Sequence, residues 1–311
     1  MGLTTLLAAA ALAAAPIPVA DLPVQIGHGA QTLHGSLMRP DHLAGSAAVL
    51  LIAGSGPEDR NGDDLKDGAR SQQLRLLARA LAERGIVSLR YDKRGVGESA
   101  AAGDPTSIGQ LAGDAEAWAR FLRRQPGVGC VVIVGHSEGA EIGTLAAQKT
   151  QLCGLVLLSA PSMDIGDLIE SQGQAVRRSP EVSARIHEII VALRSGRPVG
   201  EVPAGYESVF GPKAARYTRS EIKVEPVAEL AKVRVPVLVV QGDNDLQNPV
   251  EATRRLAAAA RVQPVIVAGM THPLKLAPKD IKANIDTYTN PDLPLAPELV
   301  EAVSGFVLAR R

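Results

Sequence analysis

Aromatic residues are scarce, with Phe, Trp and Tyr together making up 3% of the 311 residues. So thin a supply leaves little with which to stack nucleobases or sugar rings. Net charge is also absent, since 33 Lys+Arg balance 33 Asp+Glu. A nucleic-acid binder draws affinity from Lys and Arg that neutralise phosphates, and no basic run makes up the deficit here. Cysteine is limited to Cys130 and Cys153. Neither has a ligand-spaced partner, so no metal site is implied, and no cofactor is expected. The 46% hydrophobic and 21% charged content excludes a disordered, collagen-like or coiled-coil chain. What remains is a soluble enzyme or small-molecule binder. The length allows two domains, or one large α/β core with an insertion.

An apolar, Ala/Leu-rich stretch runs from Leu3 to Ala15 and stops at Pro16. It is too short to span a bilayer, which takes about 20 residues. It suits the apolar core of a secretory signal followed by small-residue sites, although the first basic residue is Arg39 and Pro16 obstructs a cut after Ala15. Residues 1–20 are therefore expected to be a signal peptide. The remainder is expected to be periplasmic or secreted, with no stable membrane anchor after signal removal. The alternative is an Ala-rich leader without a role, on a cytoplasmic protein.

Past Asp21 strands and helices alternate. Val24–Gly27 and Thr32–Met38 read as short leading strands, and Ala47–Ala53 as a strand buried on both faces. Gln72–Arg84 carries leucines at helical spacing and stops at Gly85. The rhythm continues with strand Ile86–Tyr91, helix Ile108–Arg124, strand Cys130–Val134, helix Ser137–Lys149 and strand Leu155–Ala160. It resumes with strand Val235–Gln241, helix Val250–Ala260, strand Val265–Val267 and helix Pro297–Leu308. Strands alternating with helices of this length predict βαβ units in a doubly wound, mostly parallel sheet with an antiparallel start. Residues 162–224 break the pattern with an amphipathic helix around Val182–Arg194 and then Gly/Pro punctuation. Sixty residues without a strand are long for a loop, so a helical cap over the carboxyl edge of the sheet is expected, flanked by core segments 21–161 and 225–311. The alternative is a peripheral excursion touching no site.

The chemistry starts at Gly135-His136-Ser137-Glu138-Gly139, a G-x-S-x-G between a buried strand and a helix. A serine on so sharp a turn is strained, and side chains two positions either side would collide with neighbouring chain. The turn lifts Ser137 Oγ out of the sheet at the amino end of a helix, where the dipole favours developing negative charge. Such a serine needs a base and a group that orients the base. Of six histidines, His28, His34 and His42 lie in or between the leading strands, and His187 lies in the expected cap. His136 sits inside the turn and is expected to point away from Ser137. His272, in Gly269-Met270-Thr271-His272-Pro273, follows the last core strand, where open α/β sheets build sites, and is the expected base.

The acid should fall between the serine and the histidine in chain order. Strand Val235–Gln241 ends in Gly242-Asp243-Asn244-Asp245. Asp243 follows the glycine directly and suits an Asx turn, whereas Asp245 can reach back from the loop and is favoured. For the oxyanion hole, the loop Gly54-Ser55-Gly56-Pro57 supplies Ser55 N–H, and Glu138 N–H, just after the nucleophile, supplies the second donor. A plain Gly/Pro turn is the bland alternative for that loop.

With these residues in view, the chain resembles the α/β-hydrolase fold family, and more narrowly its bacterial dipeptidyl-peptidase-like and lysophospholipase-like serine esterases. The resemblance rests on GSGPEDRNGD at 54–63, Tyr91-Asp92-Lys93-Arg94-Gly95-Val96-Gly97-Glu98-Ser99, Gly135–Gly139, VPVLVVQGDND at 235–245 and Gly269–His272. It covers about 30–160 and 225–310 and leaves the cap unmatched. Relatives commonly carry His-Gly where this chain has Ala53-Gly54, a departure that backbone donors tolerate in principle. In this fold the strands starting at Cys130 and just after Cys153 are parallel neighbours, close enough for a Cys130–Cys153 disulfide, which would fit an oxidising compartment. Two small buried thiols are the alternative.

The resemblance implies attack by Ser137 on an ester carbonyl with His272 as base and Asp245 as orienter, through an acyl-enzyme that water resolves. The expected substrate is a small-molecule carboxylic ester of small to medium acyl group. A thioesterase or small-peptide hydrolase uses the same triad, and a catalytically silent ligand binder on the same fold is the alternative from a different class.

Overall fold

The computed structural model describes residues 19–175 and 177–310. The expected signal peptide therefore falls almost wholly outside the described residues. Its last two positions, Val19 and Ala20, open the first strand and pair with Pro40 and Arg39.

Eight strands form one sheet: β1 (Val19–Ile26), β2 (Leu33–Pro40), β3 (Ala47–Ile52), β4 (Ser88–Tyr91), β5 (Cys130–His136), β6 (Gly154–Leu158), β7 (Val237–Gly242) and β8 (Val265–Val267). Their order across the sheet is β1-β2-β4-β3-β5-β6-β7-β8. β2 runs antiparallel to both its neighbours, and every pairing from β4 to β8 is parallel. The carboxyl ends of β3, β4, β5, β7 and β8 therefore open onto one edge.

The helices are α1 (Gln73–Ala82), α2 (Ile108–Arg123), α3 (Glu138–Ala147), α4 (Ile165–Ala175), α5 (Pro180–Arg194), α6 (Glu207–Phe210), α7 (Ala215–Glu221), α8 (Pro226–Leu230), α9 (Val250–Ala260), α10 (Ile281–Thr289) and α11 (Pro297–Leu308). They cover both faces of the sheet because its central strands are apolar on both. Ala48, Leu50 and Ile52 of β3 join one core with Leu111, Trp118 and Ile142. Ala47, Val49 and Leu51, the alternate residues, join a second core with Leu77, Leu81, Leu299 and Val303. The period of two along a strand divides the run between two helical layers. Each such leucine or isoleucine contributes roughly 1.5–3 kcal/mol on burial.

Between β6 and β7 stand α4 to α8, where the sequence predicted a single helix. Ile186, Ile189, Ile190 and Leu193 of α5 pack with Phe210 and Ile222 into a third, smaller cluster. The shorter helices carry too few turns for a periodicity to emerge from sequence. α10 also went unpredicted, for a different reason. Its apolar residues Ile281 and Ile285 are 69% and 53% exposed, while its polar Asn284 and Thr287 are buried. An amphipathic reading sees that pattern reversed.

Cys130, opening β5, and Cys153, preceding β6, are disulfide-bonded, with Cα atoms 5.8 Å apart. The parallel register of these strands brings the two residues side by side at the edge opposite the one described next.

Candidate active site

Ser137 occupies the turn between β5 and α3 with φ 53° and ψ −123°, a conformation that L residues seldom adopt and that costs about 1–3 kcal/mol. The flanking glycines are dictated by close approach. A Cβ on Gly135 would stand 2.2 Å from Gly139 O, and one on Gly139 would stand 2.3 Å from Ile52 O. Strand, turn and helix can meet this tightly only without those side chains. Ser137 N donates to Leu158 O at 2.9 Å, which fixes the turn to β6. Its hydroxyl makes no hydrogen bond among the described residues.

The loops after β7 and β8 bring two further residues together. Asp245 Oδ2 lies 2.9 Å from His272 Nδ1, and both side chains are buried. Asp245 is well supplied with donors: Gln241 Nε2 at 2.8 Å on Oδ2, and Gln247 N at 2.7 Å and Asn248 N at 3.0 Å on Oδ1. Burial alone would push this carboxyl up, but the charge and hydrogen bond of His272 and the two backbone donors outweigh it and hold it below its ordinary value. His272 shows the converse: burial acts to lower its pKa, and Asp245, with a smaller contribution from Glu58, raises it above 6.5. Asp243, the competing acid, instead accepts from Gly269 N at 2.7 Å and ties the two loops together.

His136 makes a contact that the sequence did not foresee. Its ring lies 4.7 Å from that of His272, and its Nε2 is 2.9 Å from His272 O. Burial, then the neighbouring His272 charge, lowers its pKa to about 3. A neutral ring facing a carbonyl must carry its proton on Nε2, so His136 donates to the backbone of His272. Nδ1 is buried without a partner.

The loop after β3 forms the other wall. Ser55 N and Glu138 N donate to no protein acceptor among the described residues, so both remain available to an oxyanion. Gly54 N donates to Glu58 Oε2, and Gln73 Nε2 donates to Glu58 Oε1 at 2.9 Å. Burial pushes the Glu58 carboxyl above its usual range against the opposing charge of Lys93. Lys93, just after β4, donates to Gly54 O and to Glu138 Oε2, the latter at 2.9 Å. Tyr217 OH, from α7, donates to Glu138 Oε1 at 2.8 Å. Beyond Glu138 lie Glu141 and Glu221, each buried and raised well above the carboxylate range by burial first and the charge of Glu138 next. Sequence reasoning singled out neither Glu58 nor Lys93 for the site. Lys93 lies in the matched stretch Tyr91–Ser99, and its separation of 45 residues from Glu138 gave no sign of the pairing.

Comparisons with known proteins bear on the fold. A family model described as serine aminopeptidase, S33, matches residues 68–193. Esterase EstD of Thermotoga maritima is 26% identical over 218 residues, 69% of this chain and 50% of that protein. The chain thus spans about half the length of that curated relative. Among solved structures, Est1E from Butyrivibrio proteoclasticus aligns with a TM-score of 0.58 at 19% identity, over 92% of this chain and 97% of that one. XC6422 from Xanthomonas campestris, described as an α/β serine hydrolase without lid, aligns with a TM-score of 0.53 at 16% identity, over 92% and 95%.

Proposed function

We propose that the chain is a member of the α/β-hydrolase fold family and a serine hydrolase cleaving carboxylic esters of small to medium acyl groups. The observation that carries this reading is the strained Ser137 turn on the same sheet edge as the buried His272–Asp245 pair. In this reading His272 Nε2 takes the Ser137 proton as Oγ attacks the carbonyl, and Asp245 holds the imidazole in the tautomer that leaves Nε2 bare. Ser55 N–H and Glu138 N–H receive the oxyanion, the imidazolium protonates the leaving alcohol, and water repeats the cycle on the acyl-enzyme. Ser137 Oγ and His272 share no hydrogen bond among the described residues, and serine–histidine contacts often tighten only with substrate bound.

Helices α4 to α7 would act as a cap on the pocket. Support comes from Tyr217 on Glu138 and from Gln172 Nε2, which donates to Gln247 O in the Asp245 loop. Export would accord with the disulfide, which persists in oxidising compartments. A second reading, a small-peptide hydrolase with the same residues, is favoured by the aminopeptidase description of the matching family model.

The test is turnover of nitrophenyl esters of graded acyl length, alongside fluorophosphonate labelling, by the wild type and Ser137→Ala. The wild type is expected to turn over and label, and the variant to lose at least about 10⁴-fold in kcat and all labelling. Labelling with peptide or thioester turnover and no ester turnover moves the substrate class. Turnover that survives Ser137→Ala removes the serine-hydrolase reading.

A further inference from the structure

We infer that Lys93 is a positioning residue for the oxyanion hole, an inference that rests on the serine-hydrolase reading above. Its ammonium aligns the peptide unit carrying one donor and anchors the residue carrying the other. The Lys93 and Glu138 side chains are only 4% and 7% exposed, so the pair is shielded from water, where an ion contact is stronger and less screened. Nζ donates to Gly54 O and to Glu138 Oε2. Gly54 C=O and Ser55 N–H belong to one peptide unit. No peptide bond is cis among the described residues, so the two groups point in opposite directions. Anchoring the carbonyl on one side therefore sets the direction of the N–H on the other. The ammonium also draws electron density through the peptide, making Ser55 N–H a stronger donor to a developing negative charge.

The second donor is reached through the same cation. Glu138 N–H is the other oxyanion group, and the Glu138 carboxylate is clamped between Lys93 Nζ and Tyr217 OH. The neighbours of Lys93 in Asp92-Lys93-Arg94 make parallel ties. Asp92 receives Arg60 N at 2.8 Å and Arg60 Nη2 at 2.6 Å, fastening the far end of the oxyanion loop. Arg94 pairs with Asp114 on α2. Three consecutive charged residues after β4 thus hold the oxyanion loop at two points and their own segment to α2.

A merely structural lysine would neutralise Glu138 and do nothing else, so the test removes that role. The double variant Lys93→Met/Glu138→Gln removes both members of the buried pair together, and it is compared with Lys93→Met and with the wild type. Measured are Tm, kcat and KM on a nitrophenyl ester, and inhibition by an alkyl trifluoromethyl ketone, which forms an oxyanion on Ser137, against the matching methyl ketone. The double variant is expected to keep its KM and its methyl-ketone affinity while kcat falls roughly 10²-fold and trifluoromethyl-ketone affinity falls in parallel. A double variant that keeps kcat and fluoroketone affinity overturns the proposal and leaves the serine-hydrolase reading intact. So does one whose two ketone affinities fall together with Tm. A wild type without Ser137-dependent turnover removes that reading and this proposal with it.

Discussion

The two walls of the site stand on one sheet edge but are built by opposite electrostatic rules. On the base wall, one aspartate meets one imidazole, and Gln241, Gln247 and Asn248 donate to the same carboxylate. The outcome is a carboxyl held down and an imidazole held up. On the oxyanion wall, Glu138, Glu141 and Glu221 stand within electrostatic reach of one another, Lys93 reaches Glu58, Glu138 and Glu221, and burial drives Glu58, Glu141 and Glu221 upward. In the proposed mechanism, the first wall is preorganised for a positive charge on His272. In the same proposal the second receives a negative charge while surrounded by acids, helped by Lys93 and by carboxyls that ionise late. The base wall should therefore be robust to pH once His272 is neutral, and the oxyanion wall should carry the finer pH and charge sensitivity.

The sharpest way to break the comparison is on the base wall. Asp245→Asn keeps the shape but favours the wrong imidazole tautomer, so kcat/KM should fall by about 10³–10⁴ with little loss of fold. In the wild type, kcat/KM should rise with pH as His272 loses its proton, along a limb placed above 6.5 because Asp245 stabilises the imidazolium. Asp245→Asn should move what remains of that limb toward acid. A pH profile of both proteins checks the direction, and a limb that stays in place would count against His272 as the group titrating.

On the oxyanion wall, the discriminating pair is Ser55→Pro and Ser55→Ala. Proline deletes the N–H, and kcat should drop by about 10²–10³. Alanine keeps the N–H and removes only an exposed hydroxyl, so kcat should stay within about threefold of wild type. Equal losses in the two would show that the Ser55 side chain, not its backbone, does the work. His136→Phe sits between these extremes. It removes the donor to His272 O and should cost roughly tenfold in kcat through a displaced imidazole, read from steady-state kinetics on nitrophenyl esters.

Much of the base wall was legible in the linear sequence, because its parts are punctuated locally. An apolar run followed by glycine announces each loop, and the order serine, aspartate, histidine then narrows the choice of residues. Asp245 over Asp243 followed from turn chemistry, and the structure has Asp245 facing the imidazole, whereas Asp243 closes no Asx turn among the described residues and instead accepts from Gly269 N, 26 residues on. The strands and long helices were legible for a similar reason, since β3 and β5 are nearly uninterrupted apolar runs. On the oxyanion wall the sequence offered the two donors, Ser55 and Glu138, but not the charges behind them, because these join residues distant in sequence: Arg60 to Asp92 across 32 residues and Lys93 to Glu138 across 45. Nothing in a charge says which opposite charge it meets. The contact of His136 was illegible for a related reason: its ring meets a carbonyl 136 residues on. In α10 the buried face is the polar one, so hydropathy pointed the wrong way.

The smallest effect, and the one that best tests how the walls communicate, concerns Glu58. Its carboxyl takes Gly54 N–H and Gln73 Nε2–H, and a Cβ placed on Gly54 would meet Glu58 Oε2, His136 Nδ1 and Ser137 Cβ at once. Glu58 therefore borders the reacting atoms from the oxyanion side, and its negative charge favours protonated His272 across the site. Glu58→Gln removes that charge at nearly constant shape. With less stabilisation of the imidazolium, His272 should lose its proton at lower pH, and the acid limb of kcat/KM should shift toward acid. At alkaline pH the base is neutral in both proteins, so any residual difference there measures what Glu58 does to the oxyanion directly. A negative charge beside a developing negative charge costs stabilisation, so the plateau of Glu58→Gln should equal or exceed that of wild type. A plateau that falls while the limb stays put would mean that Glu58 serves the loop through its hydrogen bond to Gly54 and not through its charge.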